Sequence, residues 1–481
     1  MTGSSTQGAS ENRIRIACLL LVLNFNLSVA ADVLPQNIAN VMQHRNLPAE
    51  TLSIYVESLD TGEPVLAWNE AEPRNPASVM KILTTLVALD ILGPTYRWET
   101  NLYVLGDVEQ GELKGDLLMQ GSGDPFLVTD RFWQMLRLLK QIGIQKIDGE
   151  LLLDDSYFSV PFHDAAAFDR EPLRAYNVGP NALLSNLKVV RYVFEPDPVS
   201  GKVSIRLDPA LSYLRVQNRL KIRPGSCRGY QRGIAISMND ELNKVTFSGD
   251  FPDGCNIYSM DRTALSHNQY TYSLFKSVWS ESGGELTGGW RNVVTPLDLE
   301  PDIVFRSMPL SSIISKINKH SNNVMARQLL LTLGAEVNGA PGTAESGREV
   351  VLDWLGRHGL ATTEMKLENG AGLSRDVRLT SKMLVDLLRL GFESPYMPEY
   401  VSSLSLSGLD GTLSRRFRNG ALTGKAHMKT GSLDHVTAIA GYFQAASGKR
   451  YLVAAMQNHP DIHRGPGEEV QAALLSWLDA Q

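Results

Sequence analysis

The sequence predicts a mixed fold of the α/β (α+β) type, in which one domain is built from both chain ends and a large β-rich module is inserted into it. Two observations lead to this prediction. Apolar, helix-like segments occur early, at Ala77–Leu92, and again after Pro296. Between about Tyr96 and Ile257, short alternating segments are separated by Gly, Asp and Pro, which is typical of strands and turns.

Length and composition set the number of domains. A chain of 481 residues is too long for one ordinary core, and its 43% hydrophobic and 20% charged residues are typical of folded protein. We expect one domain from residues 32–95 and 296–481, an inserted domain from 96–185 and 258–295, and a second, β-rich inserted domain at 186–257. The net charge of −6 argues against a nucleic acid partner, since surfaces that bind phosphate backbones carry a basic excess.

The N-terminal residues 1–31 differ from the rest of the chain. Two arginines precede the apolar stretch Ile16–Leu23, and small residues follow at Ser28–Ala31. This order is typical of a secretory signal peptide, so we expect cleavage near the end of that stretch of small residues and export to the periplasm. An uncleaved membrane anchor is the alternative, but a spanning helix needs about 20 apolar residues, and Asn24 ends this run early.

The elements follow in order. Alternation in Leu52–Val56 and Val65–Trp68 predicts a hairpin, and the buried helix Ala77–Leu92 follows with Ser78 in its first turn. The inserted region contains one predicted helix, Asp130–Ile142, and the strands Asn101–Leu105, Gly115–Met119, Gly149–Asp154, Lys202–Leu207, Leu214–Ile222, Gly233–Ser237 and Lys244–Ser248. The remainder predicts helical segments at Leu310–Leu333, Ser346–His358, Thr380–Leu390 and Gly467–Asp479, and strands at Thr437–Gln444 and Arg450–Met456.

Three cysteines occur, and Cys18 lies in the expected signal peptide. The remaining pair, Cys227 and Cys255, is most simply a disulfide in an oxidising compartment, with two separate buried thiols as the alternative. Neither the cysteines nor the nine histidines show the spacing of a metal site. We therefore expect no metal and no cofactor.

Three short motifs occur in one order: Ser78–Lys81 (Ser-Val-Met-Lys), Ser321–Asn323 (Ser-Asn-Asn) and Lys429–Ser432 (Lys-Thr-Gly-Ser). The first pattern alone is weak, because Ser185–Lys188 also satisfies it. Their surroundings distinguish the three motifs from such chance matches. The first motif begins a long apolar helix, the second precedes the apolar run Val324–Leu333, and the third occurs once.

Ser78 and Lys81 lie three residues apart and so project from one helix face, where they can hydrogen-bond. A serine hydroxyl is a poor nucleophile unless a base takes its proton, and lysine can do so only if its pKa falls well below about 10. Burial and a nearby cation lower it, and Lys429 is the candidate cation. The plain alternative is a helix-start serine beside a solvated lysine, which the other two motifs disfavour.

This trio resembles the serine D,D-peptidases and serine β-lactamases, and longer phrases narrow the resemblance to the low-molecular-mass class C penicillin-binding proteins. These are D-alanyl-D-alanine carboxypeptidase/endopeptidases. The similar phrases are Gly121–Pro125, Asp154–Phe158, Gly372–Arg375 and Ser407–Leu413. The long gap between Ser78 and Ser321 leaves room for a large insert. The sequence departs from the family at Glu368–Ala371, where Asp-Gly-Ser is frequent.

The resemblance implies a serine β-lactamase/D,D-peptidase-like catalytic domain and a role for each motif. Ser78 is the acylated nucleophile, Lys81 takes its proton, and Ser321 relays a proton to the leaving group. The implied substrate-binding residues are Asn323, Lys429, Thr430, Gly431 and Ser432. Backbone N–H groups of Ser78 and Ser432 form the oxyanion hole.

An acidic residue of the insert is implied to face the amine of the substrate's third-residue side chain. It precedes Tyr176–Pro180, which makes Glu171 the candidate; Asp169 competes for the role, and a solvated surface acid is the plain alternative. The implied partners are peptidoglycan stem peptides, with β-lactam antibiotics as covalent inhibitors. Loose membrane association and a homo-oligomer are left open.

Several other residues attract attention but fit structural roles better. His320 and His427, beside the second and third motifs, are more often packing or strand-surface residues than bases, and Asp124 and Asp410 lie in turn-forming phrases. A β-lactamase or esterase of the same fold, with fast deacylation, is the main alternative function. A non-catalytic wall-binding protein would lack part of the trio, which is complete here.

Overall fold

The computed structural model describes residues 1, 3–4, 33–197, 199–227 and 233–481. The apolar stretch and the cleavage site of the expected signal peptide lie outside these residues, as does Cys18. Over the described ranges, none of the helices combines the length and the apolar character that crossing a membrane requires.

The described residues form ten α-helices and nineteen strands. The helices are α1 (Gln36–His44), α2 (Lys81–Leu92), α3 (Thr129–Gln141), α4 (His267–Glu281), α5 (Leu310–His320), α6 (Asn323–Asn338), α7 (Ala344–Arg357), α8 (Ser381–Glu393), α9 (Met397–Ser403) and α10 (Pro466–Asp479). The strands are β1 (Leu52–Ser58), β2 (Pro64–Trp68), β3 (Glu99–Glu109), β4 (Glu112–Gly121), β5 (Lys146–Ile147), β6 (Leu151–Asp154), β7 (Val189–Asp197), β8 (Lys202–Asp208), β9 (Arg215–Arg223), β10 (Ile234–Asn239), β11 (Lys244–Pro252), β12 (Tyr258–Thr263), β13 (Glu285–Leu286), β14 (Trp290–Asn292), β15 (Ile303–Arg306), β16 (Ser405–Leu406), β17 (Ala426–Leu433), β18 (Val436–Gln444) and β19 (Arg450–Asn458).

A six-stranded antiparallel sheet, in the order β16-β17-β18-β19-β1-β2, joins the two ends of the chain. Leu52 pairs with Gln457 and Ser58 with Tyr451. Helices α1 and α10 cover one face of the sheet, and α2 and α8 pack on the other. Burial on both faces explains why β18 and β19 read as almost continuous runs of apolar and small residues rather than alternating ones.

The helical layer departs from the sequence prediction in two places. The predicted helix at Ala77–Leu92 begins with a 3₁₀ turn, Ala77–Met80, and becomes α-helical at Lys81. The predicted segment Leu310–Leu333 is two helices, because Ser321 has a left-handed backbone (φ 55°) that ends α5. The Asn322 side chain then caps α6 by accepting a hydrogen bond from the Met325 N–H at 3.1 Å.

The insert has its own core and three sheets. A seven-stranded mixed sheet combines β3–β6 with β13–β15, and α3 and α4 pack against it. Two three-stranded sheets, β12-β7-β8 and β10-β11-β9, complete the insert. Cys227 and Cys255, which follow β9 and β11, are joined by a disulfide with their Cα atoms 4.8 Å apart.

The three-domain division of the chain is a proposal, and two strand pairings adjust its boundaries. Strand β12 lies beyond the expected boundary at 257/258 yet pairs with β7. Strand β15 lies beyond the boundary at 295/296 yet pairs with β3. We therefore propose that the second inserted domain takes in β12 and that the insert as a whole ends after Arg306.

Candidate active site

Ser78 lies in the tight turn that leads into α2. Ala77 has a left-handed backbone (φ 46°), which reverses the chain just before the serine. Asn75 holds this turn: its Oδ1 accepts from the Ala77 N–H at 2.8 Å, and its Nδ2 donates to the Ser374 carbonyl at 2.9 Å. Ser78 itself is half-buried, so its hydroxyl is fixed by its surroundings and still open to an incoming substrate.

Lys81, the first residue of α2, is completely buried. Its Nζ donates to Asn323 Oδ1 at 2.7 Å and to the Ala371 carbonyl at 2.5 Å, and it lies 3.0 Å from Ser78 Oγ. A neutral amine has two N–H donors and one lone pair. The two acceptors match its donors, which leaves the lone pair for the Ser78 hydroxyl proton.

The electrostatics favour that neutral form. Burial, together with the charges of Lys429 and Arg327, holds the pKa of Lys81 well below its usual value. Burial also lowers the pKa of Lys429 to about 7. Burial thus lowers the pKa of both lysines, and neighbouring positive charges lower that of Lys81 further, which favours a neutral amine beside Ser78.

Ser321 and Lys429 form the second half of the site. Lys429 Nζ donates to Ser321 Oγ at 3.0 Å and to the Thr430 carbonyl at 2.6 Å. The left-handed corner between α5 and α6 turns Ser321 towards this lysine. Asn323, two residues later, contacts Lys81, so one helix start connects both lysines.

Strand β17 runs directly against the Ser78 turn, and glycine makes this approach possible. A Cβ atom at Gly431 would lie 2.4 Å from the Pro76 carbonyl oxygen and 3.2 Å from the Ser78 nitrogen. The Lys-Thr-Gly-Ser motif lies within this strand. Thr430 Oγ1 donates to Thr412 Oγ1 at 2.8 Å, and Ser432 is exposed.

The turn that departs from the family pattern is well ordered by its own residues. Asn369 Oδ1 accepts from the Ala371 N–H, and its Nδ2 donates to the Leu373 carbonyl, both at 3.0 Å. Thr84 Oγ1 donates to the Gly370 carbonyl at 2.8 Å. Asn369 therefore shapes the turn that presents the Ala371 carbonyl to Lys81.

A loop of the insert reaches the site through Tyr176, whose carbonyl accepts from Asn323 Nδ2 at 3.3 Å. Asp169 holds this loop, because its carboxylate accepts from the Tyr176 hydroxyl at 2.7 Å and from Asn177 Nδ2 at 2.8 Å. Glu171 has 57% of its side chain exposed, and within the described ranges its carboxylate makes one long ion pair, to Arg174 at 3.6 Å. Of the two candidate acids, Glu171 is the one whose carboxylate is open to a ligand.

The other residues considered from the sequence lie elsewhere. Asp410 pairs with Lys319 and accepts from the Leu406 N–H at 2.7 Å, and Asp124 is buried and accepts from the Phe126 N–H at 2.8 Å. Neither these acids nor His320 and His427 bond to the motif residues in the described part of the chain. The second Ser-x-x-Lys match lies in the insert, where Ser185 Oγ accepts from Thr271 Oγ1 at 3.0 Å.

Three groups that act on Lys81 or Asn323 were not predicted from the sequence, two through hydrogen bonds and one through its charge. Two are backbone carbonyls, those of Ala371 and Tyr176, which carry no side-chain signature. The third is Arg327, whose signal was present: it is the one charged residue in the apolar run Val324–Leu333. Over the described ranges, no group of three or more His, Cys, Asp or Glu side chains is arranged to hold a metal ion.

The fold and the converging motifs define a serine hydrolase of the β-lactamase and penicillin-binding type. The chain belongs to the D-Ala-D-Ala carboxypeptidase 3 (S13) family, whose model matches residues 34–481. It is 27% identical over 462 residues to a D-alanyl-D-alanine carboxypeptidase from an Actinomadura species, covering 92% of this chain and 84% of that protein.

Solved structures agree with this assignment. The fold is similar to that of penicillin binding protein 4 (dacB) from Haemophilus influenzae, with a TM-score of 0.77, 22% identity and coverage of 92% of this chain and 99% of that one. A second structure of that protein, complexed with a novel β-lactam, gives a TM-score of 0.74 at 21% identity with the same coverage. The family and the fold class predicted from the sequence are confirmed.

Proposed function

We propose that this protein is a serine D,D-peptidase that cleaves D-Ala-D-Ala termini and D-Ala–diamino acid cross-links of peptidoglycan through an acyl-enzyme on Ser78. The observation that carries the proposal is the environment of Lys81. A buried amine with two fixed acceptors and a serine hydroxyl 3.0 Å away is built to remove that hydroxyl's proton.

Acylation then follows from the geometry. Ser78 Oγ attacks the carbonyl carbon of the penultimate D-Ala as its proton moves to Lys81 Nζ. The N–H groups of Ser78 and Ser432 stabilise the oxyanion, because Gly431 lets β17 approach the Ser78 turn closely. Losing one such donor typically costs about 10²–10³ in rate.

The second half of the site handles the leaving group. The C–N bond breaks, and the departing amine receives a proton from the Ser321 hydroxyl, which is resupplied by Lys81 and Lys429. Protonated Lys429 with the hydroxyls of Thr430 and Ser432 holds the terminal carboxylate of the substrate. Water hydrolyses the Ser78 ester in the second step and releases the shortened peptide.

The same arrangement accounts for β-lactam antibiotics as covalent inhibitors. Their strained amide takes the place of the scissile peptide bond, and their carboxylate takes the place of the terminal carboxylate. The complex of the similar Haemophilus influenzae protein with a β-lactam supports this part of the proposal.

The insert supplies selectivity for the third residue of the stem peptide. Glu171 faces the free amine of a diamino acid side chain there, and charge pairing favours substrates that carry the amine. Asp169, the competing candidate, is engaged with Tyr176 and Asn177 and instead fixes the loop that carries Glu171.

Export to the periplasm belongs to the same proposal. The Cys227–Cys255 disulfide supports it, because such bonds form and persist in oxidising compartments. Peptidoglycan lies outside the cytoplasmic membrane, so the substrate and the disulfide point to one location.

Digestion of purified muropeptides, followed by mass spectrometry, tests the proposed activity. The wild type should remove one alanine from pentapeptides and split cross-linked dimers, whereas Ser78→Ala should do neither. A fluorescent penicillin should give a long-lived adduct on Ser78. Unchanged muropeptides with the wild type would contradict the proposal, and rapid turnover of the penicillin would indicate a β-lactamase instead.

A further inference from the structure

A pocket separate from the three motifs lies behind the turn that presents Ala371 to Lys81. Its volume is about 220 Å³, which is room for roughly ten non-hydrogen atoms. The lining is mostly apolar and comes from the segment after β6, from α6 and from the start of α7, including Phe162, Leu330, Leu331 and Ala344. None of the three motifs contributes to it.

A buried cation lies in the wall of this pocket. Arg327 is 7% exposed, donates to the Val178 carbonyl, and has no ion pair within the described residues. A guanidinium has five N–H donors in a planar fork that matches a carboxylate. A buried charge without a counter-ion is costly, so this wall is incomplete without an anion.

The imidazole of His163 also lines the pocket, and burial lowers its pKa, so Arg327 carries the positive charge of the lining. His163 donates from Nε2 to the Asn177 carbonyl at 2.7 Å, and its ring packs over Gly179. Among the residues that the structure describes, no acidic side chain lines the pocket. The polar part of the lining therefore favours an anion, and the rest favours hydrocarbon.

We propose that this pocket is a second ligand site, which binds a small carboxylate with an apolar tail of medium-chain fatty acid size. The carboxylate pairs with Arg327, and the tail occupies the space between the leucines of α6 and Ala344. The mouth lies beside Phe162, whose side chain is almost fully exposed and closes over the bound tail.

The pocket is coupled to the reactive site by position. Arg327 follows Asn323 by one turn of α6, and Asn369, which also lines the pocket, shapes the turn that bonds Lys81. The charge of Arg327 is one of those that keep Lys81 neutral. A carboxylate on Arg327 offsets that charge, so occupancy of the pocket slows acylation of Ser78; this last step rests on the proposed function.

Calorimetric titration of the whole protein with octanoate and with octanamide tests the binding. Octanoate should bind at least about tenfold more tightly than its neutral analogue. Ala344→Phe, which fills the pocket from its rim, should weaken octanoate binding by at least about tenfold, whereas Ala446→Phe, at an exposed turn, should leave it unchanged. Equal affinity for the two probes, no binding of octanoate, or full binding to a folded Ala344→Phe variant would each overturn the site.

The coupling has a separate readout. Saturating octanoate should slow fluorescent penicillin acylation of the wild type and leave the rate of Ala344→Phe unchanged. An unchanged wild-type rate in the presence of demonstrated octanoate binding would refute the coupling. Absence of acylation without octanoate would count against the proposed function alone, because the calorimetric comparison does not depend on catalysis.

Discussion

Lys81 and Lys429 show how burial changes the proton affinity of two lysines that serve one site. Both are completely buried, and burial lowers both pKa values. Neighbouring positive charges lower the pKa of Lys81 further, and its Nζ has two fixed acceptors. Lys429 instead contacts the Ser321 hydroxyl and one carbonyl. The first is prepared to accept a proton, and the second changes charge near neutral pH.

This difference predicts a pH dependence. Lys429 is protonated below its pKa of about 7 and loses its charge above it. Because kcat/KM reports the free enzyme, its value for a D-Ala-D-Ala peptide should fall as pH rises through about 7. Steady-state kinetics should show a smaller fall for the same peptide with its terminal carboxylate amidated, since Lys429 then supplies a proton but no longer pairs with a carboxylate.

The comparison of the two peptides also provides the check. The rise in rate as Lys81 loses its proton should be common to both substrates. A falling limb of equal size and position for the free and the amidated peptide would assign it to a step other than carboxylate binding.

Glu171 gives a second prediction for a single residue. Glu171→Gln should lower kcat/KM about three- to tenfold for a stem peptide whose diamino acid carries a free amine, because an exposed charge pair contributes about 1 kcal/mol. The same peptide with that amine acetylated should be cleaved equally by both enzymes. Glu241→Gln, an exposed acid elsewhere in the insert, is the matched control, and an equal loss on both peptides would exclude charge pairing.

The sequence located the reactive side chains but not everything that holds them. Ser78, Lys81, Ser321, Asn323 and Lys429 belong to the three sequence motifs. The structure places them in two hydrogen-bonded groups, Lys81 with Ser78 and Asn323, and Lys429 with Ser321. The carbonyl of Ala371 could not be found this way, because any residue supplies a carbonyl. Its position depends on the turn that Asn369 shapes, which is far in sequence from Ser78 and Lys81.

At the level of elements, strand β17 can pack closely against the Ser78 turn because Gly431 has no side chain. Gly431→Ala should push the strand away from Pro76, destabilise the protein by about 1–3 kcal/mol, and displace the Ser432 N–H from the oxyanion hole. Penicillin acylation should fall by about 10²–10³. Thermal unfolding and acylation kinetics measure the two effects.

The matched control is Gly356→Ala, in helix α7, where a Cβ meets nothing within 4 Å. Replacing a helical glycine by alanine should stabilise the protein by about 0.5–1 kcal/mol and leave acylation unchanged. Wild-type acylation by Gly431→Ala would show that β17 tolerates the shift and that the close approach is not required.

The two helices α5 and α6 show where element prediction failed. Apolar residues at helical spacing occur on both sides of the polar stretch Asn318–Asn323, so the pattern predicts one helical segment over Leu310–Leu333. The break comes from Ser321 in a left-handed conformation and from Asn322 as a cap. Such a corner is stabilised by tertiary contacts, among them the bond from Lys429, which local sequence patterns do not contain.

For the whole molecule, we expect the disulfide to contribute to thermal stability without affecting the rate of catalysis. Replacing Cys227 and Cys255 by serine should lower the stability of the insert by about 3 kcal/mol, with a lower melting temperature. The rate of penicillin acylation should stay unchanged below that temperature, because the bond lies beside β9 and β11 and not at Ser78. An unchanged melting temperature, or a loss of acylation in the folded variant, would contradict this separation.

The joining of the two chain ends in one sheet was predictable, and the partners of two short strands were not. A helix-rich texture at both ends with strands between them is enough to infer a domain made from the termini. The pairing of β12 with β7 and of β15 with β3 could not be inferred, because partner choice between short strands depends on tertiary packing.

The pairing of Leu52–Ser58 with Arg450–Asn458 has a consequence for the order of folding. Contacts between residues far apart in sequence form late, since the loop between them must close first. The insert, whose sheets use only residues 99–306, is complete in a growing chain before β17, β18 and β19 exist. The active site around Ser78 therefore stays incomplete, and unreactive towards the antibiotic, until the last strands have been made.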